Sequence, residues 1–122
     1  MNREISQRIL AIPVASAPGT IAPPFTGFDE FHSDTAPDPT CDENIQSGNS
    51  FYKFDLKITQ RNLDSSVLDK YRNRRPAILV LFDSDQNWYQ VGNSETPVRA
   101  IINPVKLSTE IKFSSTLRNS PF

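Results

Sequence analysis

The run Ala77–Phe82, AILVLF, constrains this chain more than any other stretch of it. A half-exposed strand alternates apolar and polar residues, and an amphipathic helix needs a polar stripe. This run has neither, and it is bounded by Pro76 and by the turn-forming Asp83-Ser84-Asp85-Gln86-Asn87. So short an apolar segment of strand-favouring residues reads as a strand buried on both faces. Trp88–Val91 regains strand character after the turn, so Pro76–Val91 is expected to be a β-hairpin whose first strand is central in a sheet. The indole of Trp88 is expected to pack on a helix or an opposing sheet, with Tyr89 on the other face.

Two further segments alternate cleanly. In Phe51–Thr59, Tyr52, Phe54, Leu56 and Ile58 alternate with Lys53, Asp55, Lys57 and Thr59. In the other, Leu107, Thr109, Ile111 and Phe113 alternate with Ser108, Glu110 and Lys112. Both read as strands with one face buried and one wet. Val98–Ile102 reads as a strand broken by Asn103-Pro104. Between the first alternating strand and the hairpin the period changes. Leu63, Val67, Leu68 and Tyr71 share one face of a helix, with Asn62 or Asp64 as N-cap and Lys70 and Arg72 at the end favoured by the helix dipole. Pro76 stops it, so the helix is placed over 64–74.

The N-terminal part is of another kind. Residues 1–14 are read as a short edge strand ending near Val14, because Pro13 cannot donate to a central ladder; a short helix over Arg3–Leu10 is the alternative. Six of the ten prolines lie between positions 13 and 39. Asp29, Glu30, Asp34, Asp38, Asp42 and Glu43 are the only charged residues between Ile9 and Ser50. Such composition is expected to form an extended acidic arm over residues 15–50, flanking a β domain at 51–122. Phe25, Phe28 and Phe31, spaced by three, would anchor that arm to a neighbour or fold back onto their own domain.

Length and composition fit a single globular domain. The net charge of −1 gives no global field for nucleic acid or an anionic membrane surface. Cys41 is alone, so no internal disulfide forms. No apolar run approaches the roughly 20 residues that span a bilayer, and the N-terminus has no convincing signal-peptide core. Residues 51–122 nevertheless carry +4 against −6 for residues 9–50, with Lys70, Arg72, Arg74 and Arg75 as the basic cluster. The cluster is either a solvated helix end, a dock for an acidic arm or, as the least favoured reading, a phosphate contact. No aromatic platform is interleaved with it, which argues against nucleic acid.

Catalytic and metal chemistry find little support in the residues. Asp83, Asp85 and Asn87 resemble the start of a calcium loop, but Trp88 stands where glycine is required and Ser94 where the bidentate Glu belongs. His32, the sole histidine, has no nucleophile motif around it and few partners for a metal. Phosphate-binding glycine loops are absent. The expectation is a non-enzyme with no metal and no cofactor.

The order of YKFDLKI, LDKYRNRRPAILVLFDSDQNWYQVGNSETPV and LSTEIKFSSTLRNSPF resembles small virion proteins of tailed bacteriophages and related prophages, of the tail and neck kind. The resemblance covers roughly residues 51–122. It departs from the usual pattern where a D-x-N-G turn precedes the Trp, since this chain has Asp85-Gln86-Asn87 there. It implies a non-enzymatic β-sandwich or partly closed barrel with one flanking helix, assembled as a homo-oligomeric ring by arms that reach neighbouring subunits. It also implies other virion proteins as partners, and a place in the virion after synthesis in the host cytoplasm. The expected fold is thus mainly antiparallel β, with α+β as the fallback class, and with Phe25, Phe28, Phe31, Lys70, Arg72, Arg74 and Arg75 at the subunit interface. The alternative is a monomeric β-sandwich module that binds carbohydrate or peptide.

Overall fold

The computed structural model describes residues 5–46, 48–105 and 108–122; expectations placed on Met1–Glu4, Ser47, Lys106 and Leu107 lie outside the described residues. The fold is mainly β, one antiparallel sheet of eight strands with one short helix. In chain order the strands are β1 (Ile5–Pro13), β2 (Asp29–His32), β3 (Thr40–Gln46) and β4 (Asn49–Arg61). Helix α1 (Ser65–Tyr71) and a 3₁₀ turn over Arg72–Arg74 follow, then β5 (Pro76–Asp83), β6 (Trp88–Val91), β7 (Val98–Val105) and β8 (Ser108–Leu117). The ladder runs β2-β1-β5-β7-β8-β4-β3, with β6 paired to β5.

The expected double burial of Ala77–Phe82 has a specific cause. Ala77, Leu79 and Leu81 face a main core shared with Ile9 and Ala11 of β1, Phe54, Leu56 and Ile58 of β4, and Ile111 and Phe113 of β8. Ile78 and Val80 face the opposite way, into a second core with Leu10 and Ile12. The register matches, with Ile9 opposite Leu81 and Leu10 opposite Val80. The sheet curls around the main core without closing. The ring of Phe31 on β2 lies 5.8 Å from that of Phe113 on β8, although three strands separate them in the ladder. Among the described residues no ladder joins β2 to β4, but three hydrogen bonds tie β4 to His32 and to Asp34 just after β2. The Asp34 N–H donates to the Thr59 carbonyl (2.7 Å), the His32 N–H to Gln60 Oε1 (2.9 Å), and the Arg61 N–H to Asp34 Oδ2 (2.9 Å).

Residues 15–50 are not an extended arm. They wrap their own sheet. Residues 29–32 form β2 against β1, and residues 40–46 form β3 against β4. Between β1 and β2 the proline-rich stretch lies over the outer face, where Ile21 is buried and Phe25 and Phe28 pack on Phe82 and the second core. The physical reason is the outer face itself. Leu10, Ile12, Ile78 and Val80 form an apolar strip that water would otherwise meet, and covering it outweighs what polar composition alone would favour.

Other boundaries shift for local reasons. Strand β1 is not at the edge, because β2 pairs beyond it over Arg8–Ala11. Pro13 is tolerated at its end, past the last β2 partner. The helix begins after Asp64, whose carboxylate accepts from the Ser66 N–H at 2.9 Å, and it stops at Tyr71 rather than Arg74. Asn73 and Arg74 both take left-handed backbone angles, φ 61° and 55°, which turns the chain toward β5. Strand β7 continues through Asn103-Pro104 to Val105, paired with β8. Its ladder with β5 covers only Pro76–Ala77 against Val98–Arg99. Beyond Arg99 one edge of β7 has no strand partner among the described residues, so a residue without an N–H is accommodated there.

Candidate interaction groove

Past Arg99, β7 runs beyond the start of β5 at Pro76, and a groove of about 450 Å³ lies between β7 and the end of the helix with the turn that follows it. Leu68, Tyr71, Ala100, Ile101, Ile102 and Pro104 supply its apolar wall, and Arg72, Asn73 and Arg74 stand along one rim. The rim is held by its own contacts. Arg99 Nη1 donates to the Arg74 carbonyl at 2.8 Å, tying the left-handed turn to β7. Tyr71 is buried, its ring 5.6 Å from that of Phe31, and its hydroxyl donates to Asp29 Oδ2 at 2.7 Å. Burial, then that carboxylate, pushes the Tyr71 hydroxyl well above the usual phenol range, so it stays a proton donor.

The basic cluster expected to meet a neighbour is divided by the fold. Lys70 Nζ reaches Asp29 Oδ1 at 2.9 Å, so the first acid of the proline-rich segment docks on its own helix. Arg72 pairs with Asp69 at 3.3 Å, one helical turn away, where both side chains are exposed and the pair contributes little. Arg74 and Arg75 are exposed and make no ion pair among the described residues. Glu30 is likewise used internally, 3.0 Å from both Arg8 Nε and His32 Nε2. What remains acidic and unpaired lies at and before β3: Asp38, Asp42 and Glu43 make no ion pair among the described residues.

The three phenylalanines separate. Phe31 is 1% exposed in the main core, which removes it from any surface role. Phe25 and Phe28 are half-buried on the outer face, with ring centroids 5.8 Å apart. Trp88 joins them there. It is 37% exposed, with its ring 5.2 Å from Phe25, and it packs on neither the helix nor an opposing sheet as expected. The register explains the correction: Trp88 stands opposite Phe82, an outward-facing residue of β5, while Tyr89 stands opposite the inward Leu81. This could have been read from the hairpin, because alternation fixes Trp88 to the side of Phe82 once the turn length is set. Arg8 adds a guanidinium 5.2 Å above the Phe82 ring.

Asp83 organises the hairpin turn, as its residue type implied. Its carboxylate accepts from the Asp85 and Asn87 N–H groups (2.9 Å each), from Asn87 Nδ2 (3.2 Å) and from the Tyr89 hydroxyl (2.7 Å). Burial opposes the charge, but the Tyr89 and Asn87 side chains and the backbone donors outweigh it and lower the carboxyl to about 2. His32 sits exposed beside Glu30, outside the groove. Among the described residues no group of three or more His, Cys, Asp or Glu is gathered so as to hold a metal ion. Among the described residues no helix is long and apolar enough to cross a membrane. The groove itself escaped sequence reading, because it depends on how far β7 runs past the start of β5, a register that no local pattern encodes.

Compared with known proteins, the chain matches no family model, no curated protein and no solved structure.

Proposed function

We propose that this protein is a structural subunit that assembles with copies of itself, as a homo-oligomeric ring in the tail or neck of a tailed-bacteriophage virion. One observation carries the reading: β3 ends the ladder with its outer edge unpaired among the described residues, and Ile45 on it is 73% exposed. An unpaired strand edge is a template for another chain, and proteins that do not use such an edge usually blunt it. The pattern of YKFDLKI, PAILVLFDSDQNWYQV and LSTEIKF supports the virion context by its resemblance to small tail and neck proteins. On this reading the contacts are made by sheet edges, because the segment once expected to reach a neighbour lies on its own sheet. Light scattering of the purified protein over a range of concentrations tests it, with a defined oligomer expected and ring-shaped particles in negative stain. A monomer at every concentration would overturn it.

A second reading, a monomeric carbohydrate-binding module, draws on the exposure of Trp88 beside Phe25. Rings at a surface can stack on sugar faces. Quenching or enhancement of Trp88 fluorescence by added saccharides, with the protein monomeric, would favour that reading over the ring.

A further inference from the structure

On the outer face of the sheet a row of side chains crosses four adjacent strands and ends at Trp88. Glu30 and His32 on β2 point outward, because Phe31 between them enters the main core. Arg8 on β1, opposite His32, continues the row to Phe82 on β5 and to Trp88 on β6, opposite Phe82. A bulge sets Arg8 in place. Ile5 pairs with Asp83 and Ile9 with Leu81, so Ser6, Gln7 and Arg8 stand against Phe82 alone. Bulges re-aim side chains, and this one lays the Arg8 guanidinium 5.2 Å over the Phe82 ring. Glu30 holds the same group, with Oε1 3.0 Å from Arg8 Nε and 3.0 Å from His32 Nε2. The guanidinium is therefore fixed in place and its charge is balanced. Its two Nη groups and Glu30 Oε2 make no hydrogen bond among the described residues, and both side chains are about half exposed.

We infer that this row is a binding site for a neutral oligosaccharide. One sugar ring lies on the exposed indole of Trp88, and its hydroxyls meet the Arg8 Nη donors and the Glu30 Oε2 acceptor. Arg8 and Trp88 are two strands apart, roughly 10 Å, so a second, linked sugar lies over Glu30 toward His32. The ligand class follows from what the row offers. An aromatic surface suits the C–H face of a sugar. A donor fork beside a carboxylate oxygen suits vicinal hydroxyls, which both give and accept hydrogen bonds. The guanidinium and the carboxylate cancel, so the row has no net charge with which to recruit an ion. Arg8, already held by Glu30 and the Phe82 ring, loses little freedom when a ligand arrives. The inference rests on the saccharide reading above for its ligand, and it extends the site from Trp88 and Phe25 to β1 and β2.

Trp88 is the single tryptophan of the chain, so its selectively excited fluorescence reports this site alone. Titration of the full chain with cellobiose, mannobiose and lactose should change that emission for at least one of them. Binding should vary by less than about twofold between low and high salt, because no net charge is neutralised. Calorimetry with the best of these sugars then reads the variants. Trp88→Ala should abolish binding. Arg8→Lys keeps the charge and loses the planar fork, and it should weaken binding about tenfold, as should Glu30→Gln. The three residues are exposed, so each variant is expected to keep the wild-type circular dichroism spectrum. Binding that needs Trp88 but is unchanged in Arg8→Lys and Glu30→Gln overturns this inference and leaves the saccharide reading standing. Binding that survives Trp88→Ala puts the site elsewhere. Binding confined to sialyllactose or a sulfated disaccharide, and lost in high salt, overturns the neutral class. If none of these sugars binds, the saccharide reading itself falls, and this inference with it.

Discussion

Replacing Phe31 by alanine measures how far the proline-rich segment belongs to the core. The side chain is 1% exposed, and its ring lies edge-on to Tyr71 and Phe113, with centroids 5.6 and 5.8 Å away. Truncating a fully buried Phe costs about 3–5 kcal/mol in lost transfer energy and residual cavity. Two edge-to-face pairs, each contributing roughly 0.5–1.5 kcal/mol beyond area burial, place Phe31 toward the upper part of that range, at about 4 kcal/mol. A domain of this size has a total stability of about 5–15 kcal/mol, so the variant should fold but stand near its margin. Phe25→Ala is the control. Its ring is half-buried on the outer face, so its loss should be about 1–2 kcal/mol. Urea unfolding followed by circular dichroism, with unchanged m, gives both numbers. If Phe31→Ala loses less than about 1.5 kcal/mol, in the ordinary range of partly exposed sites, the segment is not built into the core and the reasoning fails.

Three other outcomes are expected. Gly92 has φ +85°, and an added Cβ would come within 3.0 Å of the Thr96 carbonyl and 3.1 Å of Val98 Cγ2, so Gly92→Ala should cost about 2 kcal/mol or more in thermal or urea unfolding. Asp83 is held at about 2 in the folded state, below an unfolded Asp near 3.9, so its stabilisation is present above about pH 4 and lost as the pH falls through about 2. Melting temperatures of the wild type should drop across that window more steeply than those of Asp83→Asn. Trp88, exposed by 37%, should lose about 2 kcal/mol as alanine and not the 3–5 of a buried ring, and acrylamide should quench its native fluorescence appreciably.

The parts of the fold that were legible are those where one strand answers to one core. Phe54, Leu56 and Ile58 announce β4 and Ile111 and Phe113 announce β8, because strict alternation has a single physical meaning at a half-buried sheet. Asp64 and the Leu63, Val67 and Tyr71 spacing placed the helix for the same reason, although the left-handed pair Asn73 and Arg74 ends it sooner than Pro76 alone would require. The proline-rich segment was misread because residues that cover a sheet from a loop need no period. Ile21, Phe25 and Phe28 touch the outer core at irregular intervals, and Phe31 enters the inner core because the chain becomes a strand between Phe28 and Phe31. Even spacing by three therefore says nothing about a shared edge. Its acidity was equally ambiguous, since Asp29 and Glu30 form ion pairs within the subunit while Asp42 and Glu43 form none among the described residues. Of the candidate groove only Arg72 and Arg74 could be named in advance.

Strands β1 and β5 are a wall with a room on each side, and the two rooms are closed differently. The cover of the outer one, residues 14–28, contributes no strand to the sheet. It can lift away without breaking a ladder, whereas residues 29–46 cannot leave without dissolving β2 and β3. Hydrogen exchange under native conditions should therefore fall into two levels. Amides of 14–28 exchange through a local opening that bares Leu10, Ile12, Ile78 and Val80, while those of β1 and β5 wait for the whole domain. Such an opening would present a fresh apolar strip in a molecule that is otherwise still folded, so aggregation on mild heating should begin there, before the inner core melts.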